Sequence, residues 1–120
     1  MSDHVSPQGR LFDWNALLEK LGGDQVFVRT LLGIALRSSQ SLPDELRNAS
    51  AQADFAALAR IAHKVKGTAG DLVAEGLRDR ARDTELAARE SNPVAVVLGL
   101  QLADALDALL TELRAITGAG

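Results

Sequence analysis

The chain has 120 residues, enough for one domain with a hydrophobic core, and 47% of them are apolar although only 3% are aromatic. Thirteen basic and sixteen acidic residues give a formal charge of −3, without a basic run or an aromatic platform, which argues against nucleic acid as a principal partner. The chain has no cysteine, so disulfides, thiolate metal sites and cysteine nucleophiles are excluded.

The first predicted element is a short helix. Residues 1–11 are polar, contain proline and glycine, and are expected to form a flexible N-terminal segment. Asp13 is a candidate N-cap for a helix from Trp14 to Leu21, which Gly22 and Gly23 would stop. We expect Trp14 to pack at one end of the fold.

Asp24 caps a second predicted helix, which runs from Gln25 to about Ser50. Pro43 interrupts this segment, where it removes a backbone donor and should bend the helix. Ser41 could instead cap a separate helix that begins at Leu42. The apolar pattern stays in phase on both sides of Pro43, so one kinked helix is the preferred interpretation. Its buried face is predicted to include Val26, Leu31, Ala35, Leu42, Leu46 and Ala49.

A third helix is predicted from Phe55 to about Ala69, with Asp54 as its N-cap. Its apolar residues recur every three or four positions, as in a helix that buries one stripe. They are Phe55, Leu58, Ala62, Val65, Ala69 and Leu72. Gly70 could adopt the positive φ that closes this helix, and Asp71 could cap the next one.

The fourth predicted helix covers Leu72 to about Glu90. Its inward or seam positions are Leu72, Leu77, Ala81, Leu86 and Ala88. At the start of the fifth predicted helix, Asn92 is the expected N-cap and Pro93 the expected first helical residue. The apolar positions of the fifth helix are Val97, Leu98, Leu102, Ala105, Leu106, Leu109, Leu113 and Ile116. Residues 118–120 are expected to fray.

Short connections between long amphipathic segments favour antiparallel neighbours. The expected fold is all-α, an antiparallel up-down-up-down four-helix bundle with a short extra N-terminal helix. No segment alternates at period two, so no sheet is predicted. No apolar run approaches the length of a membrane span and no signal peptide is recognised, so a cytoplasmic location without direct membrane contact is expected.

His63 lies roughly 130° from the centre of the apolar stripe of the third helix at about 100° per residue, so its imidazole is expected to face solvent. The surrounding side chains are very small, at Ala56, Ala59 and Gly70. A mid-helix glycine costs about 1 kcal/mol relative to alanine, so Gly67 needs a reason other than the helix itself. One turn from His63, it would let another molecule approach the imidazole.

Lys66 follows His63 by three residues and lies within reach of the imidazole. Arg60 shares the outer side of the helix. A neutral imidazole nitrogen is a nucleophile, and a neighbouring cation can offset an arriving negative charge. This arrangement suits a residue that carries a phosphoryl group.

Other chemistry is less well supported by the sequence. Asp79, Asp83 and Glu85 lie among four arginines, a pattern typical of a solvated helix face with salt bridges. The positions three and four residues from His63 hold alanine, arginine, lysine and glycine, so no metal site is predicted. There is no glycine-rich phosphate loop, so the chain is not expected to bind ATP or to phosphorylate itself.

The stretch from Ala62 to Gly70, followed by Leu72 and Ala74, resembles the signature of the histidine-containing phosphotransfer (HPt) domain, usually written H-x-L-K-G. The resemblance covers about Phe12 to Ile116, and the domain is expected to span residues 12–117. It implies that His63 is phosphorylated, that Lys66 helps to hold the phosphoryl group, and that Gly67 permits docking. Two positions depart from the signature: Val65 replaces a commoner leucine, and Val73 replaces a frequent glycine.

The resemblance also implies a role in a multistep phosphorelay. A receiver domain's aspartate would donate the phosphoryl group to His63, and another receiver would accept it. The receiver would supply Mg²⁺, so this chain is expected to need no cofactor or metal. Arg60, Lys64, Ala56, Ala59 and Gly70 are candidate docking residues. The partners are expected to be receiver domains, with those of a hybrid sensor histidine kinase among the candidates, and the chain is expected to be a monomer. The alternative is a docking bundle whose histidine is never phosphorylated.

Overall fold

The computed structural model describes residues 12–118, which form six α-helices and no strand. The helices are α1 (Trp14–Lys20), α2 (Gln25–Ser39), α3 (Leu42–Ala51), α4 (Phe55–Asp71), α5 (Glu75–Arg89) and α6 (Val94–Thr117). The all-helical class predicted from the sequence is confirmed. The predictions for residues 1–11 and for residues 119 and 120 lie outside the described residues.

Side-chain caps begin three of the helices as predicted. Asp13, Asp24 and Asp54 each accept a hydrogen bond from the backbone N–H three residues further on, at 3.0, 3.0 and 3.1 Å. At α6 the prediction is one residue early, because Pro93 is the N-cap and the helix begins at Val94; Asn92 Oδ1 nevertheless accepts from the N–H of Val94 at 3.0 Å. These caps satisfy donors that a helix start leaves unpaired, so the helix starts could be identified from local sequence.

The segment around Pro43 forms two helices, so the preferred single kinked helix was wrong. Pro43 has no N–H, and its ring crowds the carbonyl group four residues back, at the last residue of α2. Both problems disappear when Pro43 lies in the first turn of a new helix. Ser41 precedes α3, as in the alternative, but its hydroxyl donates to Glu45 Oε2 at 2.7 Å instead of capping the backbone.

The turn between α4 and α5 also differs from the prediction. Gly70 and Asp71 stay within α4, and the positive φ falls on Val73, at 57°. The N–H of Ala74 donates to the carbonyl of Ala69 at 2.8 Å, and that of Val73 donates to Gly70 at 3.2 Å. This bond pattern places the left-handed residue at position 73 whichever residue stands there. A β-branched residue in that conformation is strained.

The site is carried by α4, which packs mainly on α5, while α3 packs mainly on α6. The large, fully buried side chains come from every helix except α5: Leu17, Val28, Leu32, Leu46, Leu58, Ile61, Leu102, Leu106, Leu109, Leu110 and Leu113, with Leu72 at the end of α4. Three predicted inward positions are instead exposed: Val26 at 76%, Leu86 at 54% and Val97 at 51%. On α2 the buried face is shifted and includes Val28, Leu32 and Leu36.

Trp14 lies at one end of the fold, as expected. The guanidinium of Arg29 lies 5.6 Å from the centre of its ring, and Arg29 Nη1 donates to the carbonyl of Ile116 at 2.6 Å. These contacts join α1 and α2 to the last turn of α6.

By length and composition alone, α6 could cross a membrane, contrary to the expectation that no apolar run approaches that length. The buried core helix of a soluble bundle passes the same test. Eight residues of α6 are buried, and the helix contacts α2, α3, α4 and α5, so packing within the fold accounts for part of its apolar character, while Val94, Val97 and Leu100 remain exposed.

Close approach between α3, α4 and α6 depends on Gly99. A Cβ added to Gly99 would lie 2.5 Å from Ser50 Oγ and 2.8 Å from Leu58 Cδ2. Ser50 can rotate its hydroxyl, but Leu58 is completely buried and has no free space to enter.

Gly99→Ala should therefore destabilise the fold by about 1–2 kcal/mol, because overpacking outweighs the gain in helix propensity. Gly76 provides a matched control on α5, since a Cβ there meets nothing within 4 Å. Gly76→Ala should stabilise by up to about 1 kcal/mol. Urea unfolding of both variants would measure these effects, and equal stabilisation by both substitutions would contradict the packing argument.

Candidate functional site

His63 projects outward from the middle of α4. Its side chain is 63% exposed, while Ala62 and Val65 beside it are buried in the core. The expected orientation of the imidazole is therefore confirmed. Solvent exposure leaves the ring accessible to a partner molecule.

The structure places a buried carboxylate against the histidine. Glu85 of α5 is 5% exposed, and its Oε2 lies 3.1 Å from His63 Nδ1. The same carboxylate lies 2.8 Å from Lys66 Nζ through Oε1. The assignment of Glu85 to a solvated acidic face was wrong, because this position on α5 turns toward α4 rather than toward water.

This contact determines which nitrogen of the imidazole carries the proton. An ionised carboxylate only accepts hydrogen bonds, so Nδ1–H of His63 donates to Glu85. The other nitrogen, Nε2, is then unprotonated in the neutral ring and carries a lone pair. Within residues 12–118 no hydrogen bond occupies Nε2, so the lone pair is available to an electrophile from outside.

Two cations keep Glu85 ionised. Arg89 donates to Oε2 from Nε at 3.0 Å and from Nη2 at 2.6 Å, one helical turn away on α5. Burial by itself raises the pKa of Glu85, but the hydrogen bonds and charges of Lys66 and Arg89 outweigh it and lower this pKa to about 2. The carboxylate is therefore charged throughout the physiological range, where it can also stabilise a positive charge on the imidazole.

His63 lies between two open depressions along the groove of α4 and α5. One has a volume of about 660 Å³ and is lined by Phe55, Ala56, Ala59, Arg60, His63, Lys64, Ala88, Arg89 and Ser91. The other has a volume of about 420 Å³ and is lined by His63, Lys66, Gly67, Gly70 and Arg78. Together they contain every position that the sequence indicated as a docking residue.

The structure shows how the candidate docking residues are exposed and which helices surround them. Ala59 is 8% exposed, so it forms the floor of the larger depression and not an accessible surface. Neither depression contains a residue of α2 or α3. The helix that lines both of them beside α4 is α5, which packs more extensively on α4 than any other helix does.

Gly67 has open space where a side chain would project. A Cβ at this position meets nothing within 4 Å, so the fold of the described chain does not require glycine there. A helix interior without this packing need would be more stable with alanine. The clearance beside His63 is thus a property of the surface, in agreement with the expectation from the sequence.

No group of three or more histidine, aspartate and glutamate side chains that could hold a metal ion occurs within residues 12–118. Glu85 is the carboxylate nearest His63, and its oxygens already face Lys66 and Arg89. Two cations at that position disfavour a metal ion beside the ring.

Comparison with known proteins identified one family. The model of the Hpt domain family matches residues 30–116, well over half of the chain, including all of α3, α4 and α5. No curated protein and no solved structure matches the chain.

Glu85→Gln should reduce the stability of the fold and flatten its dependence on pH. Because the folded pKa of Glu85 is lowered from its ordinary 4.5 to about 2, the contribution of this carboxylate is fully present above pH 4.5 and is lost as the pH falls through about 2. That contribution is on the order of 3 kcal/mol. From pH 6 to pH 3, the free energy of unfolding measured in urea should decrease more for the parent protein than for Glu85→Gln. An equal decrease in both proteins would contradict the ionised, paired state of Glu85.

Proposed function

The chain belongs to the Hpt domain family, and on that premise we propose that His63 accepts a phosphoryl group from the aspartate of a receiver domain and passes it to another receiver. Domains of this family act in histidine phosphotransfer within phosphorelays, interact with response-regulator receiver domains, and are phosphocarriers without kinase activity. The observation that carries the proposal is the contact of 3.1 Å between His63 Nδ1 and the buried Glu85.

The transfer step follows from the state of the imidazole. The lone pair on Nε2 attacks phosphorus, the Nε2–P bond forms, and the P–O bond to the aspartate breaks. The aspartate leaves as a carboxylate with the electron pair of that bond. Nδ1 keeps its proton, so the ring becomes positively charged as the bond forms. Glu85 lies against that proton and stabilises the charge.

Lys66 is the proposed phosphoryl-stabilising residue. Its Nζ lies 2.8 Å from Glu85 Oε1, the carboxylate that also contacts His63, and its side chain is 32% exposed, so it can contact both that carboxylate and a group on the ring. Lys66 and Arg89 together outnumber the one negative charge of Glu85, which leaves the site with a positive potential before the phosphoryl group arrives. Such charge neutralisation is the main requirement of phosphoryl transfer.

The docking face is proposed to be the groove of α4 and α5 around His63. Gly67 provides clearance, and the exposed Arg60 and Lys64 would attract the acidic pocket of a receiver. Ala56 and Gly70 keep the surface flat, with Ala59 beneath. The receiver would supply Mg²⁺, so we propose that this chain binds no metal or cofactor of its own.

Several wider assignments are part of the same proposal. The domain is taken as residues 12–117, monomeric and cytoplasmic, without nucleic acid or direct membrane contact. Its receivers could belong to a hybrid sensor histidine kinase. We assign it the up-down-up-down arrangement of four members. The first member is α2 and α3 taken together, the other three are α4, α5 and α6, and α1 is the extra helix.

The experiment that tests the function is phosphoryl transfer from a phosphorylated receiver. The parent protein should acquire acid-labile, base-stable phosphate, and His63→Gln should fold normally but acquire none. The other histidine supplies a matched control, because His4→Gln should be labelled as the parent is. Labelled His63→Gln would disprove the assignment. Absence of labelling across all receivers of the source organism would indicate a docking bundle that is not phosphorylated.

Gly67→Ala should separate stability from function. The substitution should stabilise α4 by up to about 1 kcal/mol, because a Cβ there meets no other atom of the protein. It should also slow transfer from a receiver by about tenfold, since a 1.4 kcal/mol loss of docking energy has that effect. Unfolding curves and transfer rates are compared with those of Gly76→Ala, which should be stabilised without a change in rate. Unchanged transfer by Gly67→Ala and Gly67→Glu would contradict the role in clearance.

A further inference from the structure

A phosphoryl group on Nε2 of His63 has two depressions beside it. The larger one extends toward the start of α4 and the end of α5, and the smaller one extends toward the end of α4 and the start of α5. Both contain arginine, so composition alone does not decide which one receives the phosphoryl oxygens. The positions of Lys66 and Gly67 favour one of the two.

Lys66 and Gly67 line the smaller depression, and neither lines the larger one. A Cβ at Gly67 meets nothing within 4 Å, so the space there is open. The charge of Lys66 and the open space at Gly67 therefore lie together beside His63, in the smaller depression.

Arg78 is the second cation that lines this smaller depression. It lies on α5, opposite Gly70, and its Cδ and Nε are 3.8 Å from the position that a Cβ would occupy at Gly70. The stem of Arg78 therefore crosses the small-residue face of α4, one turn beyond Gly67. Arg78 and His63 line the same depression, so a guanidinium here can turn toward a phosphoryl group on the imidazole.

The present partner of Arg78 holds it weakly. Its Nη1 lies 3.4 Å from Glu75 Oε1, three residues earlier on the same helix, and both side chains are more than half exposed. Such a pair contributes little free energy, so Arg78 can exchange it for a stronger anion at small cost. By contrast, Arg89 makes two hydrogen bonds to the buried Glu85 and would lose both if it turned away.

We propose that Arg78 is a second phosphoryl-binding residue, which together with Lys66 holds the phosphoryl oxygens over Gly67 in the smaller depression beside His63. The inference rests on the proposed function, because it requires His63 to carry the group. A planar guanidinium can donate two hydrogen bonds to two phosphoryl oxygens, whereas Lys66 supplies one point charge.

The experiment uses phosphoramidate as the phosphoryl donor, which makes a receiver unnecessary. Nε2 bonds to phosphorus as the P–N bond breaks, and ammonia leaves with the electron pair of that bond. The second ionisation of the phosphohistidine is then followed by ³¹P NMR as the pH is varied. Arg78→Ala should raise the pKa of the phosphoryl group by about 0.5, because a partly solvated cation no longer favours the dianion. Arg78→Lys should restore part of this difference.

Arg82→Ala is the matched control. Arg82 lies one turn further along α5, is 53% exposed where Arg78 is 51% exposed, and pairs with Asp79 three residues earlier at the same 3.4 Å, but it lines neither depression. Its removal should leave the phosphoryl pKa unchanged. If the phosphoryl group has the same pKa in Arg78→Ala and in Arg82→Ala, the proposal for Arg78 is wrong and the phosphocarrier role stands. If neither the parent protein nor any of these variants acquires phosphohistidine, from phosphoramidate or from receivers, the phosphocarrier role itself is wrong.

Discussion

The carboxylate of Glu85 joins α4 and α5 at the point where the chemistry is expected. It accepts a hydrogen bond from His63, forms an ion pair with Lys66, and accepts two hydrogen bonds from Arg89. A buried carboxylate without partners would be protonated or would destabilise the fold, so its cations are a condition for its charge. That charge in turn keeps the proton on Nδ1 and leaves Nε2 as the free nucleophile. The reactivity of an exposed side chain is thus decided by a buried one.

The short distance between these groups depends on small residues in the packing of the helices. Many of the buried positions of α4, α5 and α6 are alanine, which allows helix axes to approach closely. The closest approach is at Gly99, where even a methyl group would overlap with Ser50 and Leu58. Since Leu58 is part of α4, packing on the α6 side of the fold also holds the helix that carries His63. Precise placement of the imidazole is therefore a property of the whole core.

Charge is distributed unevenly over the molecule. The chain as a whole is acidic, with a formal charge of −3, yet the residues around His63 include Arg60, Lys64, Lys66, Arg78 and Arg89. Acidic side chains predominate elsewhere, for example at Asp104 and Asp107 of α6, which both bind Arg47. A local basic surface on an acidic protein favours association in one orientation and limits nonspecific binding of polyanions.

The amino-acid sequence by itself determined what depends on neighbours along the chain. Aspartate caps, the apolar stripe of α4 and the outward position of His63 with Lys66 and Gly67 all follow from spacings of three or four residues, so they could be predicted. Glu85 could not, because it lies 22 residues from His63 and is one of several similar acidic residues on α5. Only the packing of α5 on α4 selects it from Asp79 and Asp83. The tertiary structure likewise decided that Val26, Leu86 and Val97 remain exposed and that Val73 takes the strained turn, because burial and loop closure depend on contacts between helices that no local pattern contains.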